Sequence, residues 1–224
     1  MAVLLAASVS AQVFAGGFSI YEQGARATAM AGAMVARPWD ASAAFYNPAG
    51  LAMYGTTGQF RIYGGIVPIQ TMAKFSGLNP APGVGIQDKA KNLVFVPFNL
   101  YVAYQIKDNM AVALAITTPF GLGTEWKNTG NTYSGRFRSI LGNIQAVYVS
   151  PTFSYKINDM FAAGVGIDYV YSKVKLQSHQ GQPVFNGTST QIYDVVDVTL
   201  QGADKGEFGF HFAGFAKVNE KLSF

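Results

Sequence analysis

The chain has two histidines, His179 and His211, and no cysteine. Neither histidine has a metal-ligand neighbour at helical or strand spacing, and without thiols no Cys-ligated zinc site can form. Asp168, set among Gly164, Gly166 and Tyr169, reads either as a buried base or as an ordinary inward polar residue. Ser150 and Ser154 with a distant His211 give a hydrolase only weak support. Gly121-Leu122-Gly123 lacks the flanks of a nucleotide-binding loop. The stretch 119–142 carries a different chemistry. It gathers Phe120, Leu122, Trp126, Tyr133, Phe137, Ile140 and Leu141 with Lys127, Arg136 and Arg138. Apolar surface beside a guanidinium suits capture of an apolar molecule with an anionic end, because Arg pairs a carboxylate bidentately. If the segment is extended, Arg136 and Arg138 point the same way. In the competing reading the aromatics pack loops against each other and the arginines bind lipopolysaccharide phosphates. Both are physical tasks, so the chain is read as a non-enzyme with no metal and no cofactor.

The elements that must position these residues follow from composition and period. The chain has 224 residues, 50% hydrophobic, 14% aromatic and 12% charged. Average soluble domains are about 25% charged. High apolar content excludes disorder, and absent Cys excludes a disulfide scaffold. Mean hydropathy is only +0.18. No run of about 18 apolar residues follows the N-terminal segment, so a polytopic helical membrane protein is excluded. The net charge of +4 is scattered, with no basic recognition face, so nucleic acid is not expected as a partner.

From about residue 56 the hydrophobic period is two. In 93–106, Val94, Val96, Phe98, Leu100, Val102, Tyr104 and Ile106 alternate with Asn99, Tyr101, Ala103 and Gln105. The segments 110–116, 144–157, 161–171 and 206–218 alternate likewise. These strands are long, and soluble strands average about 5–6 residues. Short turns at Lys107–Asn109, Asn158–Asp159 and Asn219–Lys221 alternate with long stretches, expected as loops, at 69–92, 119–142 and 176–204. Short turns at one end and long loops at the other describe an antiparallel transmembrane β-barrel better than a soluble sandwich. Tyr101, Tyr104, Tyr155, Tyr169 and Tyr171 are expected in its aromatic girdles. His179 is expected in a loop, and His211 on the inside of a strand.

The first 55 residues read differently. Residues 2–11 form a short apolar core before Val13-Phe14-Ala15, which predicts a signal peptide over 1–15, cleaved to leave Gly16. No positively charged n-region precedes it. Residues 16–55 are rich in Ala and Gly. Ala25–Ala36 predicts a turn or two of helix, ended at Arg37-Pro38. Asp40 is placed to cap another short helix, and Asn47-Pro48-Ala49-Gly50 is turn chemistry. This is a small N-terminal α-helical plug, followed by a partial barrel over 56–224.

The segment AGGFSIYEQGARATAMAGAMVARPWDASAAFYNPAGLA (15–52) resembles the start of the FadL-like outer-membrane transporters of Gram-negative bacteria, which take up long-chain fatty acids and aromatic hydrocarbons. Pro119-Phe120-Gly121-Leu122, Glu125-Trp126, Gly135-Arg136-Phe137 and Pro151 extend the similarity. The resemblance implies a fourteen-stranded, monomeric barrel with a hatch, of which about seven strands are present. It also implies an apolar lumen path and lateral release into the membrane. Phe120, Leu122, Trp126, Phe137, Arg136 and Arg138 are then the candidate substrate-binding residues. Phe18, Ile20, Asn47, Pro48 and Ala49 are the candidate hatch residues. The ligand is expected to be a fatty acid or hydrocarbon, with outer-membrane lipid and lipopolysaccharide as surroundings. A non-selective porin, a surface adhesin and an outer-membrane lipid hydrolase are the alternatives. Family members are about twice this length, so the chain reads as an N-terminal part.

Overall fold

A computed structural model describes residues 19–79, 82–188, 190–219 and 222–224. The expected cleavage after Ala15 and the hatch residue Phe18 fall outside the described residues. Two short helices, α1 (Ala25–Ala29) and α2 (Ala43–Tyr46), and a 3-10 turn at Pro48–Ala52 precede the strands. The strands are β1 (Phe60–Ile66), β2 (Ile69–Thr71), β3 (Lys74–Ser76), β4 (Gln87–Lys89), β5 (Leu93–Phe95), β6 (Phe98–Lys107), β7 (Met110–Glu125), β8 (Leu141–Lys156), β9 (Phe161–Phe185), β10 (Thr190–Asn219) and β11 (Leu222–Ser223). One antiparallel sheet of seven strands runs β1-β6-β7-β8-β9-β10-β11, with β1 and β11 as its edges. The expected open sheet around the N-terminal segment is what forms.

Alternation along each strand separates two environments. On one face Leu100, Leu114, Phe153, Ile167 and Phe210 are exposed, a surface that only lipid can cover. On the other, Ala103, Ala111, Ala113, Ala115, Thr152, Ser154 and Ala162 are buried against residues 19–55. Ala41, Ala43, Ala44, Leu51 and Ala52 of the plug form one core with Tyr101 and the wall alanines. Small residues on both sides let the plug backbone lie close to the wall.

Tyr101 corrects the girdle expectation. It points inward, is fully buried, and its hydroxyl donates to the Gln23 carbonyl at 2.9 Å. Tyr104, Tyr155 and Tyr169 are exposed on the lipid side, as expected. The alternation in 93–106 already set Tyr101 with Asn99, Ala103 and Gln105 on the inward side; the girdle assignment went against it, because a large amphipathic ring suits either face.

Two stretches expected as loops are strand. Residues 69–92 continue the β1–β6 hairpin as the pairs β2–β5 and β3–β4. Ile66↔Phe98 and Ile69↔Phe95 lie on one register, interrupted at Pro68 and Pro97. Proline has no N–H to donate, so the ladder breaks there while the pairing direction persists. The expected 93–106 strand is accordingly two, β5 and β6. Residues 176–204 are almost all strand as well. β9 runs 25 residues and β10 runs 30, where roughly 9–11 cross a bilayer. His179 therefore sits in a strand, not a loop. Beyond the membrane both faces meet water, so apolar alternation there is short and interrupted, as in Val196, Val198 and Leu200 between Asp197, Thr199 and Gln201.

The lipid-facing assignment has a direct test. Leu114 sits mid-strand, opposite Val102 and Pro151. Leu114→Arg should cost about 2–4 kcal/mol of folding into liposomes, the expected cost of a cation near the bilayer midplane. Ala113→Ser, on the inner face, should cost far less. Urea titration of the refolded protein would measure both.

Candidate functional site

The plug is held by wall side chains that bond its backbone. The Asn47 side chain accepts from Ala49 N at 3.2 Å and donates to Val35 O at 2.9 Å and Gly214 O at 3.2 Å. It thus caps the 3-10 turn and ties it to β10. The buried Ser154 hydroxyl donates to Ala49 O and accepts from Ala52 N. Arg61 donates to Leu51 O at 2.9 Å, and Gln105 to Ala52 O at 3.4 Å. Gly164 makes the approach possible. A Cβ there would lie 2.6 Å from Ala49 N and 2.8 Å from Pro48 C. Asn47, Pro48 and Ala49 are therefore the centre of the plug contact. The Asp40 side chain accepts from Ser42 N at 2.9 Å, just ahead of α2. It also pairs with Arg26 at 2.5 Å.

A gap in the wall lies above the plug. β6–β7 pairing stops at Asn99↔Thr117, and β7–β8 pairing slips between Thr117 and Phe120. Thr118 and Pro119 form the resulting bulge, with Pro119 unable to donate. Thr118 Oγ1 accepts from Phe98 N at 2.9 Å and donates to Phe98 O at 3.0 Å, and among the described residues backbone hydrogen bonding to the neighbouring hairpin resumes at Lys91 N to Glu125 O and the Ala90↔Trp126 bridge. Between these points the N-terminal segment supplies the partners. Ile20 N donates to Pro119 O at 2.8 Å, Ser19 bridges Phe120, and Gln23 Nε2 donates to Thr118 O at 3.2 Å. Ile20 and Gln23 are each 1% exposed. Backbone carbonyls freed by the bulge are thus capped by the plug alone.

Beside α2 the lumen keeps a cavity of about 250 Å³, lined by Phe45, Tyr46, Pro48, Tyr148, Asp168 and His211 among others. Its polar pole is Asp168. His211 Nδ1 lies 3.0 Å from Asp168 Oδ2, and Ser150 donates to Asp168 Oδ1. His211 Nε2 faces Thr152 Oγ1 at 3.3 Å. His211 lines the inside as expected. Ser150 is engaged with Asp168 and Ser154 with the plug, so neither serine is placed on the imidazole.

Of the candidate capture residues, Trp126, Arg136, Phe137 and Arg138 lie in the loop 126–140, which is tied at both flanks. Ser134 N and Oγ donate to Asp88 Oδ2 beside β3–β4. Arg136 Nε donates to both Asp194 oxygens, at 2.9 and 3.2 Å. His179 bridges Asp194 and Asp197, each at 2.9 Å, and its backbone N donates to Arg136 O at 2.8 Å. The Arg136 guanidinium, then His179, hold the Asp194 carboxyl below the usual range. Trp126 stacks on Tyr133 at 5.0 Å, and the Arg136 guanidinium lies 4.2 Å over Phe137. Phe120 and Leu122 are in β7, paired with Ala146 and Ile144.

Arg136 and Arg138 do not share an extended face. Arg138 N donates to Gly135 O at 2.9 Å in a turn, which rotates the two side chains apart. Arg138 is exposed and pairs with no carboxylate among the described residues. Gln23, Gly164, Thr118 and Asp194 escaped the sequence reading. A Pro inside a strand was the one available sign of the bulge. Nothing local marks Asp194, whose partners lie 58 and 15 residues away.

A family model described as outer membrane protein transport protein (OMPP1/FadL/TodX) matches residues 6–221. A long-chain fatty acid transport protein of Salmonella typhi is 26% identical over 179 residues, covering 78% of this chain and 39% of that protein. An outer membrane protein of Neisseria meningitidis serogroup B is 32% identical over 127 residues, covering 54% of this chain and 26% of that one. Among solved structures, a Pseudomonas aeruginosa FadL homologue is similar with TM-score 0.62 and 20% identity, over 91% of this chain and 50% of that one. The P. putida toluene transporter TodX is similar with TM-score 0.53 and 15% identity, over 80% and 48%. The chain thus spans about half or less of the length of the proteins it matches.

The plug contact and the loop clasp each generate a test. Gly164→Val should push the Pro48–Ala49 turn off the wall, an overpacking cost of about 1–3 kcal/mol. The expected readout is raised ion leak in planar bilayers with the heat-modifiable fold retained. For the clasp, a depressed Asp194 pKa means its stabilisation is present above the unfolded carboxylate value of about 3.9. It is lost as pH falls through the lower folded value. Hydrogen-exchange protection in 126–140, taken relative to the intrinsic exchange rate at each pH, should therefore be high at pH 7 and low in strong acid. Asp194→Asn should loosen the loop already at pH 7.

Proposed function

The chain belongs to the outer membrane protein transport protein (OMPP1/FadL/TodX) family, and from that premise we infer that it takes part in uptake of hydrophobic compounds across the outer membrane. The observation that carries this reading is the unpaired stretch of β7 capped by Ser19, Ile20 and Gln23. A wall interrupted at this point and sealed by the segment Ser19–Gln23 suits lateral release of an apolar molecule. A non-selective porin needs a water-filled lumen; here the plug packs against the wall. In this reading the plug couples ligand binding to opening. A ligand that displaces Ile20 or the Pro48–Ala49 turn uncovers Thr118 O and Pro119 O and frees the gap.

Long-chain fatty acids are the proposed ligands. The Salmonella relative carries that function in its name, and TodX is named for toluene, so the apolar body is the shared requirement. Phe120, Leu122, Trp126 and Phe137 offer apolar surface on the outer side. Arg138 is the cation best placed for a carboxylate, because Arg136 already serves Asp194.

The absence of native cysteine allows a clean test. Ser19→Cys with Phe120→Cys, placed at the bridge, should cross-link under oxidation and stop uptake of labelled oleate. Reduction should restore it. An oxidised, cross-linked protein that transports at the wild-type rate would refute coupling through the gap. Arg138→Gln should weaken oleate capture about tenfold, the scale of a lost charge-assisted contact of about 1.5 kcal/mol. Toluene uptake should barely change. Equal loss for both compounds would remove the carboxylate role.

A further inference from the structure

The outer face of the sheet carries a second site, unrelated to the lumen. Along β9, alternate residues Val165, Ile167 and Tyr169 face lipid. The β8–β9 register runs on one diagonal from Val149↔Tyr169 to Leu141↔Gln177. The same face therefore continues upward through Tyr171 to Lys173 and Lys175. Gln145 and Asn143 stand directly opposite these lysines on β8, and Ala203 and Gln201 on β10. Together they line a groove of about 400 Å³.

Its charge is one-sided. No carboxylate lines it, and neither lysine forms an ion pair among the described residues. The ammonium of Lys173 lies 5.3 Å over the Tyr171 ring, which orients it above the aromatic level. Asp197, on this face of β10, lies four residues up the strand from Gln201, about 13 Å away at strand rise. It is already paired with His179 at 2.9 Å. Asp204 pairs across from Ser172, so its side chain belongs to the opposite face. Asn143 lines the groove, with its Oδ1 buried and without a hydrogen-bond partner among the described residues.

We propose that Lys173, Lys175, Gln145, Asn143 and Gln201 bind the phosphorylated, hydroxyl-rich head group of an outer-leaflet glycolipid, the chemistry of lipopolysaccharide. Height, charge and polarity agree. The two ammonium groups meet phosphate, the three amides meet sugar hydroxyls, and the acyl chains run down past Tyr169 and Ile167. The groove depends on β9 and β10 extending as strands beyond the membrane. In a flexible loop the lysines would share no face.

The test uses the protein purified from outer membranes in mild detergent. Native mass spectrometry and a lipid titration would compare wild type, K173Q/K175Q and K173R/K175R, each checked for heat-modifiable folding. Wild type should retain lipopolysaccharide, with binding weakened by salt. The Gln pair should bind at least tenfold more weakly, and the Arg pair should bind as wild type. Dephosphorylated lipopolysaccharide should bind wild type no better than intact lipid binds the Gln pair. Equal binding by wild type and the Gln pair would overturn the proposal. Displacement by inorganic phosphate at equal concentration, or equal preference for phosphatidylglycerol, would also overturn it.

Discussion

Inside a bilayer no water is available to a backbone N–H or C=O, so each must find a partner within the protein. Most of this molecule is a continuous answer to that demand, strand laid against strand from β1 to β11. Within the sheet, one interruption of that pairing is the bulge at Thr118–Pro119. There a proline and an extra residue break the ladder on the β6 side, and two carbonyls turn to other donors. Those donors are Ile20 N and Gln23 Nε2, from a segment nearly a hundred residues earlier. The wall and the plug are consequently one hydrogen-bonded object. The plug cannot leave without exposing carbonyls whose burial unpaired costs a few kcal/mol each.

The lumen side of the wall is built for close contact. Alanines on β6 and β7 meet alanines of α2 and the 3-10 turn, with Gly164 admitting the plug backbone. Apolar burial between such small side chains is modest. Holding the plug falls instead to the polar wall groups Ser154, Gln105 and Arg61, and to Asn47 of the plug itself, all of which bond main chain. Each such bond contributes about 0.5–1.5 kcal/mol net. The plug is thus held by a set of individually weak ties and by no single dominant contact.

Outside the membrane the same strands serve another purpose. The β9–β10 hairpin rises past the lipid, and its face carries Asp194 to Arg136 and Asp197 to His179. That clasp, with Asp88 on the other flank, holds the loop 126–140. Much of the aromatic surface there is spent on internal packing, as with Trp126 on Tyr133. The reading in which the aromatics pack loops together thus describes a good part of this region. Arg136 is a structural cation first, and Arg138 is the exposed one.

Sequence alone determined the features that depend on period and local chemistry. The bilayer imposes strict alternation on any strand that crosses it, so the spanning parts of β6 to β10 and their lipid face were legible. Asn47-Pro48 was legible because an amide before a proline makes its turn locally. Tertiary structure decided what depends on distant partners. Alternation put Tyr101 on the inward side, but only the fold brings Gln23 O to its hydroxyl and turns it from a girdle candidate into a plug contact. The extension of β9 and β10 escaped notice because, with water on both faces, residues pair as strands with only a short alternation, Val196-Val198-Leu200, to mark them. The commitment of Arg136 to Asp194, and the filling of the β7 gap by Ser19 and Ile20, join residues 58 and about a hundred positions apart. No local periodicity encodes such contacts; they exist only once the sheet curves round the plug and brings its strands' far ends together.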